Sequence, residues 1–226
     1  MISIRWLGHS CFRIREGSST APYKNTTDLS GKSIIIDPHD GHSLGLKPPE
    51  ESGDIILITH DHFDHNCYRV VQKSDSVVIR EAGEQMIGPL TIAGYPAHHD
   101  NIGGKKRGDI IIYTIKVGGM KLCHLGDVGH DLGDDLVEKL ASPDVLFIPV
   151  GGYFTIDAAT AWRIVDELQP KVVVPMHYKI GGLSLHLDPI DNFLGMKETE
   201  KIMVGNEISF EVEDLPEKME LWVFSL

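Results

Sequence analysis

A chain of 226 residues that is 42% hydrophobic and 24% charged is long enough to close one sizeable core and too apolar to be disordered. Its formal charge of -12, from 33 acids against 21 Lys+Arg, argues against a nucleic-acid partner, which would need a basic face, and leaves a small molecule as the expected one. Cys11, Cys67 and Cys123 show no C-x-x-C spacing, so neither a disulfide framework nor a cysteine zinc knuckle is supported and all three read as reduced structural thiols.

The alternation in ISIRWLGHSCFRIR predicts two short strands meeting near Gly8, followed by a Ser-, Thr-, Asn- and Gly-rich surface loop from Glu16 to Gly31. The first ten residues lack a basic segment followed by an apolar run, and no apolar stretch approaches a membrane-spanning length; a cytoplasmic protein without a membrane span is expected. The glycosylation-like Asn25-Thr26-Thr27 therefore carries no weight. KSIIIDP reads as a strand ended by Pro38. DIILIT and SVVIRE read as strands buried on both faces, with a short helical piece after His65 between them.

DIIIYTIKVGGMKLCHLGD gives two strands joined in a hairpin at Gly118-Gly119. DDLVEKLAS is a short helix and PDVLFIPVGG a strand breaking into a glycine pair. In TIDAATAWRIVDELQP a helix places Ala158, Ala161, Trp162, Val165 and Leu168 on one face, with Thr155 or Asp157 as its cap and Pro170 as its stop. KVVVPMHY is another strand, followed by a glycine-rich turn, a short helix from Asp191 to Met196, and the strands EISFEV and ELWVF. With no short-period repeat and no linker, one domain over residues 1–226 is expected, with layered sheets and helices outside.

Polar residues gather where these apolar strands end. In ILITHDHFDH, His60 and His62 project the same way from an extended segment, while Asp64 and His65 fall where the chain must turn. Two divergent ligand pairs result, and imidazole nitrogen with carboxylate oxygen suits zinc or manganese. A pair of ions needs further ligands and a bridging anion. Asp127 in CHLGDVG is the natural bridge, with Gly126 allowing close backbone approach, and His99 in PAHHDN and His177 in PMHYK complete one set each.

His60, His62, Asp64 and His65 stand in the pattern H-x-H-x-D-H, with WLGHSCF, IIIDP, PAHHD, LGDVG, VGGYFTIDAATA and VVVPMHY in order around it. On these motifs the chain resembles the metallo-β-lactamase superfamily, in its small single-domain branch of metal-dependent hydrolases, and among characterised members it is similar to the ascorbate-6-phosphate lactonases. The resemblance implies an α/β fold, the αββα sandwich of two mixed sheets with helices on the outer faces. It implies one metal on His60, His62 and His99, a second on Asp64, His65 and His177, Asp127 between them, and Asp37 as a supporting aspartate. His98 competes with His99, and the P-A-x-H form of relatives favours His99. The Glu16 to Gly31 loop and His39 and His42 depart from the branch pattern.

Other residues have two readings each. His9 is either an acid near the metals or a turn histidine bonding its own backbone; Tyr178 either donates to developing negative charge or packs. GGKKRG, Gly103 to Gly108, is either a mobile basic lip for an anionic substrate or a solvated turn. His39, His42, His124, His130 and His186 read as structural or surface residues.

Two divalent ions, zinc first with manganese or iron as alternatives, would lower the pKa of a shared water from about 15.7 toward roughly 7. The expected activity is hydrolysis of a lactone, ester or phosphoester of a small molecule by a metal-bridging hydroxide, with Asp64, Asp127 and His9 as the catalytic candidates. No G-x-S-x-G or other covalent-catalysis signature is present. A di-iron redox protein on the same fold is the first rival; its relatives carry Glu and Asp where this chain has His62 and His65. A non-catalytic metal-holding module is the second, and it would tolerate loss of the bridging carboxylate that Asp127 supplies. Substrate, metal identity and oligomeric state stay open at this level.

Overall fold

The computed structural model describes residues 1–17 and 31–226, so most of the loop predicted from Glu16 to Gly31, with the Asn25 match, lies outside the described residues. Strands β1 (Ile2–Gly8), β2 (Cys11–Glu16), β3 (Ser33–Ile36), β4 (Gly53–Leu57), β5 (Gln72–Ile79) and the late β13 (Glu207–Phe210) make a six-stranded sheet in the order β13-β1-β2-β3-β4-β5. The second sheet has eight strands: β6 (Gly83–Ile87), β7 (Leu90–His98), β8 (Asp109–Val117), β9 (Met120–His124), β10 (Val145–Pro149), β11 (Val172–Met176), β12 (Glu200–Met203) and β14 (Glu220–Val223). Their order is β12-β14-β11-β10-β9-β8-β7-β6.

Both sheets are mixed. β1, β2 and β3 pair antiparallel, then β3, β4 and β5 parallel. The second sheet begins as an antiparallel meander through β9 and continues in parallel pairs through β10, β11 and β14. Gly118 and Gly119, both at positive φ, make the predicted hairpin turn between β8 and β9.

The alternation of side chains assigns the layers. Ile34, Ile36, Ile55 and Leu57 join the large core between the sheets, whereas Ile35, Ile56 and Ile58 form a separate cluster with Cys11 and Val71 on the outer face of the first sheet. That outer face is covered by a 3-10 turn, Tyr68–Val70, in place of a full helix. The α-helices α1 (Asp134–Leu140), α2 (Ala158–Leu168) and α3 (Asp191–Leu194) all follow β9 and belong to the second half. Asp157 caps α2, its carboxylate accepting the Thr160 N–H at 2.8 Å. The helix ends at Gln169, in the left-handed region at φ 51, just before Pro170. It buries Ala161, Trp162, Ile164, Val165 and Leu168, and Trp162 stacks on Phe193 of α3 at 4.6 Å.

Two readings are corrected, and two strands are added to those expected. SVVIRE is not buried on both faces: β5 is the last strand of its sheet, with one neighbour, and Val77 is 43% exposed. α3 stops at Leu194, short of Met196, because Gly195 follows as its cap. β6 and β12, short polar edge strands, carry no pattern that announced them.

Candidate metal centre

β3, β4, β9 and β11 point their C-terminal ends at one edge of the sandwich, and so does β7, which like β9 runs antiparallel to β8. Asp37, the His60 turn, His99, Asp127 and His177 follow those strands directly. Crevices beyond the carboxyl ends of parallel strands are where such sheets bind ligands.

The turn after β4 is tied to Asp37. Its Oδ1 accepts the Thr59 N–H at 2.8 Å, and its Oδ2 accepts the Thr59 hydroxyl at 2.7 Å and His65 Nδ1 at 2.9 Å. The Thr59 hydroxyl, its proton given to Asp37, accepts His60 Nδ1–H at 2.9 Å. Both rings are thereby oriented with Nε2 inward and free of a proton in the neutral form. Both Nε2 atoms are buried without a hydrogen-bond partner. Thr59 was not singled out from the sequence; its position between an apolar strand and His60 was the only signal.

Asp127 sits at the centre. Its Oδ2 lies 3.1 Å from His177 Nε2, 3.2 Å from His65 Nε2, 3.4 Å from His99 Nε2 and 3.9 Å from His60 Nε2, while its Oδ1 is buried with no partner. Burial alone would raise the pKa of this carboxyl; the facing His177 and His65 hold it well below the usual carboxylate range. Glycines seat it: a Cβ on Gly126, at φ 55, would stand 3.0 Å from the Thr59 side chain, and one on Gly129 would stand 2.4 Å from the His99 carbonyl carbon.

The donor atoms fall into groups. Those of His60, His62 and His99 lie within 4.8 Å of one another, as do those of His9, Asp64, His65 and His177, and His60, His65 and Asp127 link the two. His9 therefore stands inside the cluster: its Nε2 is 3.2 Å from Asp64 Oδ2 and its ring 4.2 Å from that of His177. Burial, reinforced by His177, pushes the His9 pKa down to about 3. Asp64, which burial would raise, is held low by His65 and by the His9 hydrogen bond. Between the two candidates after β7, His99 turns inward; His98 turns out and bonds Asp109 Oδ1 at 2.7 Å. Tyr178 does not reach the cluster. His177 takes a left-handed conformation at φ 53, and the next side chain goes into the core, stacking on Trp6 at 5.6 Å with its hydroxyl donating to the Phe224 carbonyl.

Of the histidines left aside, His39 bonds the Leu7 carbonyl and His124 supports the Gly126 turn, accepting its N–H at 3.2 Å. His42 and His186 are exposed and His130 partly so. GGKKRG is neither a loose lip nor a merely solvated turn. The Asp100 carboxylate accepts the N–H groups of Ile102, Gly104, Lys106 and Arg107 at 2.8 to 2.9 Å and fixes its backbone. Burial opposes ionisation of Asp100, yet these four donors push its pKa down to about 2.

A cleft of about 210 Å³ opens over Asp64, His99, Asp127 and His177, walled by Phe63, Phe154 and Leu185 and edged by Arg107. A larger cavity of about 540 Å³, beside Arg5, Leu46 and Leu226, contains none of the clustered groups. Nitrogen and oxygen donors only, with buried orphan atoms at His60 Nε2, His65 Nε2 and Asp127 Oδ1, fit a divalent ion and nothing softer.

Residues 3–177 match the profile of the Beta-lactamase superfamily domain. A protein of Thermococcus kodakarensis named a UPF0173 metal-dependent hydrolase is 32% identical over 205 residues, covering 79% of this chain and 85% of its own length. A Thermotoga maritima structure described as a candidate zinc-dependent hydrolase of the metallo-β-lactamase superfamily superposes at a TM-score of 0.78 with 30% identity, covering 99% of this chain and 98% of that one. CmlA, a diiron β-hydroxylase of Streptomyces venezuelae, has a TM-score of 0.53 and 16% identity over 80% of this chain and 46% of its own, a likeness of fold alone. The two stacked sheets, the His/Asp cluster at their common edge and these matches agree that this chain belongs to the metallo-β-lactamase superfamily, among its metal-dependent hydrolases.

Proposed function

We propose that the chain is a binuclear hydrolase, with zinc as the first expectation and manganese or iron as alternatives, that cleaves a lactone, ester or phosphoester of a small molecule. The observation that carries this reading is Asp127: one buried carboxylate oxygen within 4 Å of four imidazole nitrogens drawn from three different strand ends. His60, His62 and His99 would hold one ion, Asp64, His65 and His177 the other, with Asp127 between.

Bound divalent ions would supply the charge that lowers the pKa of water to roughly 7 and polarises a carbonyl or phosphoryl oxygen. The side chains do the rest. Asp37 and Thr59 hold His65 and His60 in one orientation, so no reorganisation is needed when substrate arrives. His9, kept neutral by burial, donates its Nε2–H to Asp64 Oδ2 and so orients that carboxylate, a positioning role. Phe63, Phe154 and Leu185 give the approach an apolar wall.

The same reading takes residues 1–226 as one domain, acting in the cytoplasm on a small molecule. Three free cysteines support a reducing compartment, and no helix among the described residues is long and apolar enough to cross a membrane. Elemental analysis with a visible spectrum, followed by a panel of lactones, esters and phosphodiesters, tests the proposal. Two colourless ions per chain with turnover are expected; an iron absorption band without hydrolysis would return the redox rival, and no bound ion would end both.

A further inference from the structure

We propose that Arg107 selects substrates that carry an oxyanion, a carboxylate or phosphate group, beside the bond to be hydrolysed; this rests on the hydrolase reading and adds the chemical class of its substrate. Among the described residues Arg107 is the one arginine or lysine lining the cleft over Asp127. It is not a loose surface arginine. Its backbone N–H is clasped by Asp100 at 2.8 Å, and its guanidinium carbon lies 4.8 Å from the centre of the Phe154 ring. Nη2 donates to the Tyr153 carbonyl at 3.3 Å. The turn that offers both partners is itself unusual, with Gly152 at φ 59 and Tyr153, a side-chain-bearing residue, at φ 55.

What the guanidinium lacks is an anion. Arg5, Arg13 and Arg163 each pair with a carboxylate; among the described residues Arg107, like Arg69 and Arg80, has none, and of these three it alone lines the cleft. Its single side-chain hydrogen bond leaves most of its five donors unused, in the planar fork that matches carboxylate or phosphate. Lys105 and Lys106 precede it, a run of three bases on a chain of formal charge -12, of which Arg107 is the one that lines the cleft. At about 210 Å³ the cleft is smaller than the roughly 300–1,000 Å³ usual for drug-sized ligands, so anion and scissile group must lie close together on a compact molecule.

The test compares two activated esters on the metal-loaded protein, 4-nitrophenyl butyrate and mono-4-nitrophenyl succinate, which share the same two-methylene acyl chain and differ at its end, a methyl against a carboxylate. The wild type is expected to favour the succinate ester in kcat/KM. Arg107→Gln should lower that preference about ten- to a hundredfold, mainly through KM, and Arg107→Lys should restore part of it. A preference that Arg107→Gln leaves intact, with both esters slowed in proportion, overturns the proposal. Calorimetric titration of succinate and of inorganic phosphate into wild type and Arg107→Gln gives a second readout. A loss of about tenfold or more for either anion supports the assignment and identifies the oxyanion, and equal affinities for both overturn it. Should neither ester turn over, the hydrolase reading fails for that ester class, while the titration still decides on Arg107.

Discussion

His60, His62 and His99 form the outer group of donors beside Asp127, outer because it alone has a member that is not fully buried, and within that trio only His60 is held by a hydrogen bond that orients a donor, through Thr59. His62 is half-buried and touches its neighbours through ring contacts, 4.5 Å to His60 and 5.0 Å to His99; His99 Nδ1 is buried without a partner. On the other side, Asp64 is bonded to His9 and His65 to Asp37, all four of them buried. Apart from His177, whose Nδ1 like that of His99 is buried without a partner, the inner group is built before any ion arrives, whereas the outer one would owe more of its geometry to the ion it binds. Preorganised donors give tighter sites, so on the proposed reading the two ions should leave at different chelator concentrations, the outer one first.

Asp127→Ala is the change that should erase the contrast, because its carboxylate faces both groups. It is expected to cut hydrolysis by more than about a hundredfold, beyond what loss of an outer partner costs, and to lower the metal content while the circular dichroism spectrum stays that of the folded chain. A variant that binds two ions and turns over normally would remove Asp127 from the centre. Asp64→Ala should sharpen the contrast instead. It removes a donor from the inner group only, so about one equivalent of metal should remain, held by the three histidines. Loss of both equivalents would mean that the two groups are not separable.

Asp37→Asn comes next in size. The carboxylate touches no cleft residue other than through Thr59 and His65, yet both of its oxygens are used. An amide nitrogen in place of Oδ2 would face both the Thr59 hydroxyl and His65 Nδ1, and in place of Oδ1 it would face the Thr59 N–H. Metal affinity should fall about ten- to a hundredfold, more at the inner group than at the outer, as read by competition with a coloured chelator. An equal loss at both would show that Asp37 serves the whole turn after β4 and not His65 in particular.

How much of this could be read from the sequence follows the range of each interaction. The His60 to His65 block is local, four donors within one turn at the end of an apolar run, and Asp37, Asp127 and His177 follow apolar strands in the same manner. The sandwich itself was legible because Ile34 to Ile36 and Ile55 to Ile58 are apolar on both faces, as strands between two covered layers must be. Val77 misled, since its exposure depends on where β5 falls in the order of strands and no local pattern encodes that. The directions of His98 and Tyr178 turn on single backbone angles and strand parity. GGKKRG stood out as a basic segment, but Arg107 could not be told from its neighbouring lysines, because the conformation of residues 101–108 is set by one carboxylate gathering four N–H groups, which leaves no periodic trace.

The smallest expected effect concerns the support beneath both groups. His124 ends β9, and its ring is committed at both nitrogens: Nε2–H donates to the Ser10 carbonyl at 3.1 Å and Nδ1 accepts the Gly126 N–H, one residue before Asp127. Only the neutral ring can make both bonds. Burial lowers its pKa from the ordinary 6.5, by more than the nearby Asp37 raises it. With the folded value below the unfolded one, the unfolded chain takes up the proton first, so the contribution to stability is complete above about pH 6.5 and is lost as pH falls below it. In chelated protein, urea midpoints at about pH 7 and pH 5.5 should therefore drop for the wild type and drop less for His124→Asn, whose amide does not titrate. Buried His9 and His60 push the wild-type slope in the same direction and His65 in the opposite one, which is why the difference between the two proteins is the quantity to read. Parallel slopes would mean that the Asp127 turn is held by its glycines alone, and that the floor common to both groups does not depend on the protonation of the ring beneath it.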